Sequence, residues 1–178
     1  MTRDHHTPYA LADRSVGLAA TAAVCIVGLS VVVLAATPAS AALARRLTDH
    51  TGQDCAVAAP AVNGTATLVA FESTCDFTGA NADGNREIFQ VDRSGATIQL
   101  TDTIGCTNGN PSSSFSGVTV AFDSNCELAD NADGNVEIFL VTAGVVTQVT
   151  SSANCTSLAP AVSASGALVS FDSDCDLT

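Results

Sequence analysis

The nine residues Asn131-Ala-Asp-Gly-Asn-Val-Glu-Ile-Phe139 also stand fifty residues earlier, as Asn81-Ala-Asp-Gly-Asn-Arg-Glu-Ile-Phe89, with a single change. The echo extends over most of the chain. Phe71, Phe122 and Phe171 lie 51 and 49 residues apart. Sixteen residues before each is a cysteine (Cys55, Cys106, Cys155), eleven before each a proline (Pro60, Pro111, Pro160), and four after each a second cysteine (Cys75, Cys126, Cys175). A Leu-Thr or Val-Thr pair precedes every copy, at Leu47-Thr48, Leu100-Thr101 and Val149-Thr150. Repeats of this period with strand-like content fold as propeller blades or stacked small sheets, because one copy cannot bury its apolar faces alone.

Within a copy the residues spell four strands. The first includes Pro60-Ala-Val62, Pro111-Ser-Ser113 or Pro160-Ala-Val162. Turns follow at Asn63-Gly64-Thr65, Ser114-Phe-Ser-Gly117 and Ser163-Ala-Ser-Gly166, with glycines able to take positive φ. The second strand, Thr67–Glu72, Val118–Asp123 or Ala167–Asp172, is almost continuously apolar, as a strand covered on both faces should be. The Asn-Ala-Asp-Gly-Asn turn leads to the third, Glu87–Val91 or Glu137–Val141, and a glycine turn to the fourth. Leu43–Thr48 matches the end of a fourth strand, so the exported chain is expected to open with the last strand of a blade, as circular propellers commonly do.

The expected fold is therefore all-β: a partial propeller of about two and a half four-stranded antiparallel blades over residues 42–178, after an N-terminal signal or apolar helix. The third blade stops at Thr178, where the next Asn-Ala-Asp-Gly-Asn is due. Closed propellers need about four to eight blades. The chain is thus expected to be the front part of a longer protein or a truncated product, with a short self-associating protein as the alternative.

Residues 1–14 are polar, residues 16–36 apolar, and Thr37-Pro38-Ala39-Ser40-Ala41 ends the run. A polar start, an apolar core and a small-x-small exit describe a secretory signal over 1–41, cleaved after Ala41. A retained membrane anchor is the alternative, and the only route to a membrane. The whole chain carries a net charge of −12, six arginines and no lysine, which argues against a nucleic-acid partner. Six cysteines remain after residue 41, an even number in an exported chain, which favours disulfides.

Folding the first two strands of a copy about their turn makes its two cysteines mirror positions. The pairs expected are Cys55 with Cys75, Cys106 with Cys126, and Cys155 with Cys175, each closing a loop of about 20 residues. The turns Asn81–Glu87 and Asn131–Glu137 place oxygen-bearing side chains around a glycine, as calcium loops do. Asp83, Asn85, Glu87, Asp133, Asn135 and Glu137 are the calcium candidates on that reading. On the other reading Asp-Gly reverses the chain and the asparagines cap local backbone groups.

A unit reading Leu-Thr, Pro, Ser-x-x-Gly, Val-Ala-Phe-Asp-Ser, Asp-Gly-Asn-x-Glu-Ile-Phe and x-Gln-Leu-Thr resembles the TolB-like (WD-repeat-like) propeller repeat of periplasmic and secreted bacterial proteins. The likeness covers residues 43–178, and its most specific part is Asp-Gly-Asn-x-Glu-Ile-Phe. It implies a blade fold, a secreted or periplasmic (cell-envelope) location, and an interaction platform or the propeller that precedes a peptidase domain. The paired cysteines and the turn Ser114-Phe-Ser-Gly117 depart from the general pattern.

No nucleophile elbow or phosphate loop is present, and His50 is the lone histidine after residue 41. No catalytic residue and no cofactor is assigned. The expected function is a secreted, non-enzymatic binding module for a protein, peptide or glycan. The alternatives are the propeller of a secreted hydrolase and a calcium-stabilised surface or adhesive protein.

Overall fold

The computed structural model describes residues 45–51, 53–129 and 131–177, with three two-residue strands nearer the N-terminus. Those strands are β1 (Ala10–Leu11), β2 (Ile26–Val27) and β3 (Ser30–Val31), and β4 (Arg45–Arg46) follows. Ala10–Arg45 cluster as a unit of their own. In it β2 and β3 pair antiparallel, Ile26 with Val31 and Val27 with Ser30. These residues are extended where an apolar helix was expected. Ile26, Val27 and Val31 are β-branched residues, which resist the helix and suit a strand. The rest of the expected signal segment 1–41, with its cleavage site, lies outside the described residues. No helix among the described residues is long and apolar enough to cross a membrane.

Two complete blades follow. Blade one is β5 (Val57–Val62), β6 (Leu68–Ser73), β7 (Glu87–Asp92) and β8 (Thr97–Gln99). Blade two is β9 (Asn108–Ser113), β10 (Thr119–Ser124), β11 (Glu137–Thr142) and β12 (Val145–Gln148). Each is a four-stranded antiparallel meander in sequence order. The hairpin β13 (Ser157–Val162) and β14 (Val169–Ser173) begins a third. Strand bounds agree with the sequence to within a residue or two in the second and third strands. The expected strand over Leu43–Thr48 is limited to Arg45–Arg46 among the described residues.

The phenylalanine column fixes the register. Phe71 pairs with Phe89 and Phe122 with Phe139, and in both pairs the rings stack with centroids 5.7 Å apart. Phe77 adds its edge to both rings of blade one, at 5.8 and 5.4 Å. The blades meet face to face: Ala70 and Ile88 of blade one pack with Val120, Phe122, Phe139 and Val141 of blade two, flanked by Ala61, Leu100, Leu128 and Val146. Burying one such phenylalanine contributes about 1.5–3 kcal/mol. Phe171 lacks this cover and is only half-buried.

The repeated prolines mark a bulge. Ala59, Asn110 and Ala159, each just before its proline, take φ of 45°, 49° and 52°. The ladder slips there in every copy. A bulge tolerates a residue with no N–H to donate, which is where proline fits. It also frees a backbone N–H to face the preceding blade. Asn110 donates its N–H to Glu72 Oε2, and Ala159 donates its own to Asp123 Oδ2, both at 2.9 Å. Asn110 Nδ2 reaches the same Asp123 oxygen at 2.8 Å. One carboxylate per blade thus holds the bulge of the next.

Gly109 sits between the two carboxylates. A Cβ there would stand 3.1 Å from Glu72 Oε2 and 3.2 Å from Asp123 Oδ1. Gly109→Ala is expected to cost about 1–3 kcal/mol by crowding both bonds. A urea midpoint equal to that of the unmodified chain would refute this.

Candidate functional site

The blades present two ends of different chemistry. At one end lie the disulfides and the Asn-Ala-Asp-Gly-Asn turns; at the other lie the glycine turns.

The first end follows from strand pairing. Val57 pairs with Ser73, Asn108 with Ser124 and Ser157 with Ser173. Two residues beyond each pair stand the cysteines, so Cys55–Cys75, Cys106–Cys126 and Cys155–Cys175 bridge with Cα atoms 5.0, 5.2 and 5.2 Å apart. Ser73, Ser124 and Ser173 each accept the N–H of the second cysteine through Oγ, at 2.9, 3.0 and 3.1 Å.

The calcium candidates divide into two sets. Asp83 and Asp133 are exposed at the turn tips, whereas Glu87 and Glu137 are 0% and 1% exposed. Glu87 accepts from Thr101 Oγ1, from Thr103 N at 2.7 Å, from Thr103 Oγ1 at 2.6 Å, from Asn108 Nδ2 at 2.9 Å and from Asn85 Nδ2 at 3.0 Å. Glu137 accepts from Thr150 Oγ1, from Ser152 N at 2.6 Å and from Asn135 Nδ2 at 2.9 Å. Asn81 and Asn131 close the turns, donating Nδ2 to the carbonyls of Asn85 and Asn135 at 3.1 Å each.

The two glutamates are therefore hubs that gather the end of the fourth strand and, at Glu87, the start of the next blade. Their oxygens face donors, an arrangement that accounts for them without a cation. The one group of three ligand-type side chains among the described residues is Cys155, Asp174 and Cys175, and both its cysteines are bonded to each other. Millimolar calcium is accordingly expected to leave the melting temperature unchanged; an upward shift in scanning calorimetry would contradict the donor-filled hub.

The second end joins the turns of successive blades. Thr65 N donates to the Phe115 carbonyl at 3.3 Å, and Phe115 N to the Ala164 carbonyl at 3.0 Å. Arg93 Nε reaches the Ala66 carbonyl at 2.7 Å, tying the other glycine turn of blade one to this end. In that turn the Ser94 hydroxyl and the Ala96 amide hold the Asp92 carboxyl below its ordinary pKa. The charged form is thus favoured on folding. Its contribution is present above the ordinary carboxylate pKa and is lost as pH falls through the lowered value.

Apolar groups are exposed along this end: Phe115 and Val118 at 55% each, and Leu168 at 73%. Between blades one and two runs a groove of about 440 Å³, from Gly117–Val118 and Ala143–Gly144 down to Gln99 and Leu100. Gln90 Nε2 bonds the Gly117 carbonyl across it at 2.9 Å. Gln99, opposite Phe89 in the sheet, turns its side chain to the other face of the blade, where Oε1 accepts from Thr78. The sequence contained one sign of this groove: Val118 puts an apolar group beside a turn where the first copy has Thr67.

The sequence matches no protein-family model and no curated protein. Solved structures do resemble the fold. TolB from Acinetobacter baumannii superposes with a TM-score of 0.52 at 18% identity, over 74% of this chain and 29% of that one. A putative TolB from Agrobacterium tumefaciens gives 0.53 at 21% identity, over 76% of this chain and 43% of that one. An oligogalacturonate lyase from Vibrio parahaemolyticus gives 0.48 at 12% identity, over 72% and 35%. The chain spans less than half the length of either TolB structure. Blade order, strand register and the two TolB superpositions together give the chain a TolB-like β-propeller fold.

Proposed function

We propose that the chain is a non-enzymatic binding module of the cell envelope or the secreted fraction, recognising a protein, peptide or glycan at its turn end. The observation that carries the reading is the groove between blades one and two. It pairs an apolar wall, with Val118 exposed at its mouth, with the Gln90 amide that bonds the Gly117 carbonyl. A mainly apolar cleft with a few placed polar groups is the usual form of a recognition site. Turns held by rigid blades are where such folds carry recognition. Three intrachain disulfides support an oxidising compartment. The excess of acid over base supports partners other than nucleic acid.

Peptide-display and glycan-array selections on the oxidised chain test this. Ligands are expected whose affinity falls at least about tenfold in Val118→Arg, a change of about 1.4 kcal/mol, and stays the same in Asp83→Asn at the opposite end. Ligands indifferent to Val118→Arg, or turnover of any arrayed compound, would overturn the reading.

A further inference from the structure

The groove between blades one and two runs beside an unused main-chain edge. Ile98 and Leu100 line it from blade one. Their strand, β8, is the last of its sheet and is paired with β7 alone among the described residues. The register fixes which of its groups stay free. Leu100 donates its N–H to the Ile88 carbonyl at 2.7 Å, and the Ala96 carbonyl accepts the N–H of Asp92 at 3.0 Å. By the alternation of an antiparallel ladder, Thr97 and Gln99 turn their N–H and C=O groups away from β7.

The same alternation sets the side chains. Ile98, opposite Gln90, faces the groove and is 54% exposed; Val118, on the blade-two wall, is 55% exposed. Val120 and Val141 are buried beneath them. Gln90 is already engaged at the Gly117 carbonyl. Among the described residues no aromatic ring and no charged side chain lines the groove. The groove is therefore an apolar seat, and an occupant finds its hydrogen bonds at the β8 edge. An extended chain meets both conditions, because a strand added to β8 carries the side chain opposite Ile98 on the groove face. The net charge of −12 disfavours acidic residues in that strand.

We infer that the β8 edge and the groove together take an extended, acid-free peptide segment of a partner protein, which adds antiparallel to β8 and seats one large aliphatic side chain, opposite Ile98, in the groove beside Val118. The inference rests on the groove being the recognition site and adds the class and register of its ligand. Main-chain bonds supply affinity in this mode, and the seated side chain supplies selectivity. The seated residue stands in a non-hydrogen-bonded pair with Ile98, so its own N–H points outward. The residues on either side of it make the bonds to Thr97 and Gln99.

The probe is the fluorescein-labelled peptide Arg-Thr-Thr-Leu-Thr-Thr-Arg, titrated by anisotropy into the full oxidised chain. Saturable binding is expected, with amide exchange slowed at Thr97 and Gln99. N-methylation of either threonine beside the leucine should weaken binding by about tenfold or more, whereas N-methylation of the leucine itself should change it by less than about twofold. Aspartate in place of the peptide's leucine, and Ile98→Arg in the chain, should each weaken binding by about tenfold or more. The peptide variants leave the protein unaltered, so misfolding cannot imitate their effect. Failure to saturate, equal losses at all three N-methylated positions, or unprotected β8 amides overturns the inference. So does a chain that is dimeric with those amides protected before peptide is added, since a second copy then occupies the edge. Glycans or peptides that depend on Val118 but leave the β8 amides unprotected would overturn this inference alone, with the groove still the recognition site.

Discussion

Replacing Glu87 with alanine should lower stability by about 3–5 kcal/mol, the range seen when one partner of a buried charged network is deleted. The hydroxyls of Thr101 and Thr103 and the Thr103 amide lose their acceptor together, and the side-chain amides of Asn85 and Asn108 lose one of several. Each buried donor left without a partner costs about 1–3 kcal/mol, although relaxation and entering water recover part of the sum. The site has a second cost. Asn108 begins blade two, and its side chain also bonds the Arg86 carbonyl at 3.2 Å, so the seam between blades loosens with the hub. Glu87→Gln should cost less, roughly 1–2 kcal/mol, because the amide keeps one acceptor but turns an NH₂ toward the donors. Thermal melts should separate the two variants, with the alanine roughly 10 °C below the unmodified chain. Asp83→Asn, four residues away at the exposed tip, should lie within about 0.5 kcal/mol of it. Equal losses for Asp83→Asn and Glu87→Ala would mean that the turn rather than the buried carboxylate carries the motif.

Removing the bridge of blade two, as Cys106→Ala with Cys126→Ala, should cost about 3 kcal/mol through the freedom regained by the unfolded chain. Cys126 is 1% exposed, and its blade lies between the other two copies, so loss of packing adds to the entropic effect. The pair Cys155–Cys175 closes a loop of equal span, with a sequence separation of 20 in both cases. Its hairpin is more exposed, so the same double substitution there should mainly fray residues 155–175 and leave the main transition in place. Urea unfolding followed by hydrogen exchange distinguishes the two, with the blade-two variant losing midpoint and the blade-three variant losing local protection. A blade-two variant with an unchanged midpoint would show that strand pairing alone holds the blade.

The fold was legible where the repeat uses chemically distinct letters. Phenylalanine, proline and cysteine at fixed offsets gave the strand order and the bridges, because each identity has a local consequence. The hairpin of β5 and β6 that makes Val57 the neighbour of Ser73 also makes Cys55 the neighbour of Cys75. The bulge was hidden because Ala59 and Ala159 are ordinary residues that show no preference for positive φ. Only the following prolines hinted at it. The glutamates were ambiguous for a similar reason. Alternating oxygens around Gly84 and Gly134 fit either a cation or a turn, and the deciding residues are Thr101, Thr103 and Asn108, well downstream of the motif. The groove was the least visible feature. Its walls are Leu68, Gln90 and Ile98 of one blade and Val118, Val120 and Val141 of the next, and no local pattern joins them.

The intrablade pairing of the six cysteines is the most direct test of a chain built from self-stapled blades. Cleavage at aspartate and glutamate under non-reducing conditions, followed by mass spectrometry, separates the two halves of every predicted pair, at Glu72, Asp123 and Asp172. Three linked species are expected, joining Cys55 to Cys75, Cys106 to Cys126 and Cys155 to Cys175. A linkage between cysteines of different copies would contradict the account.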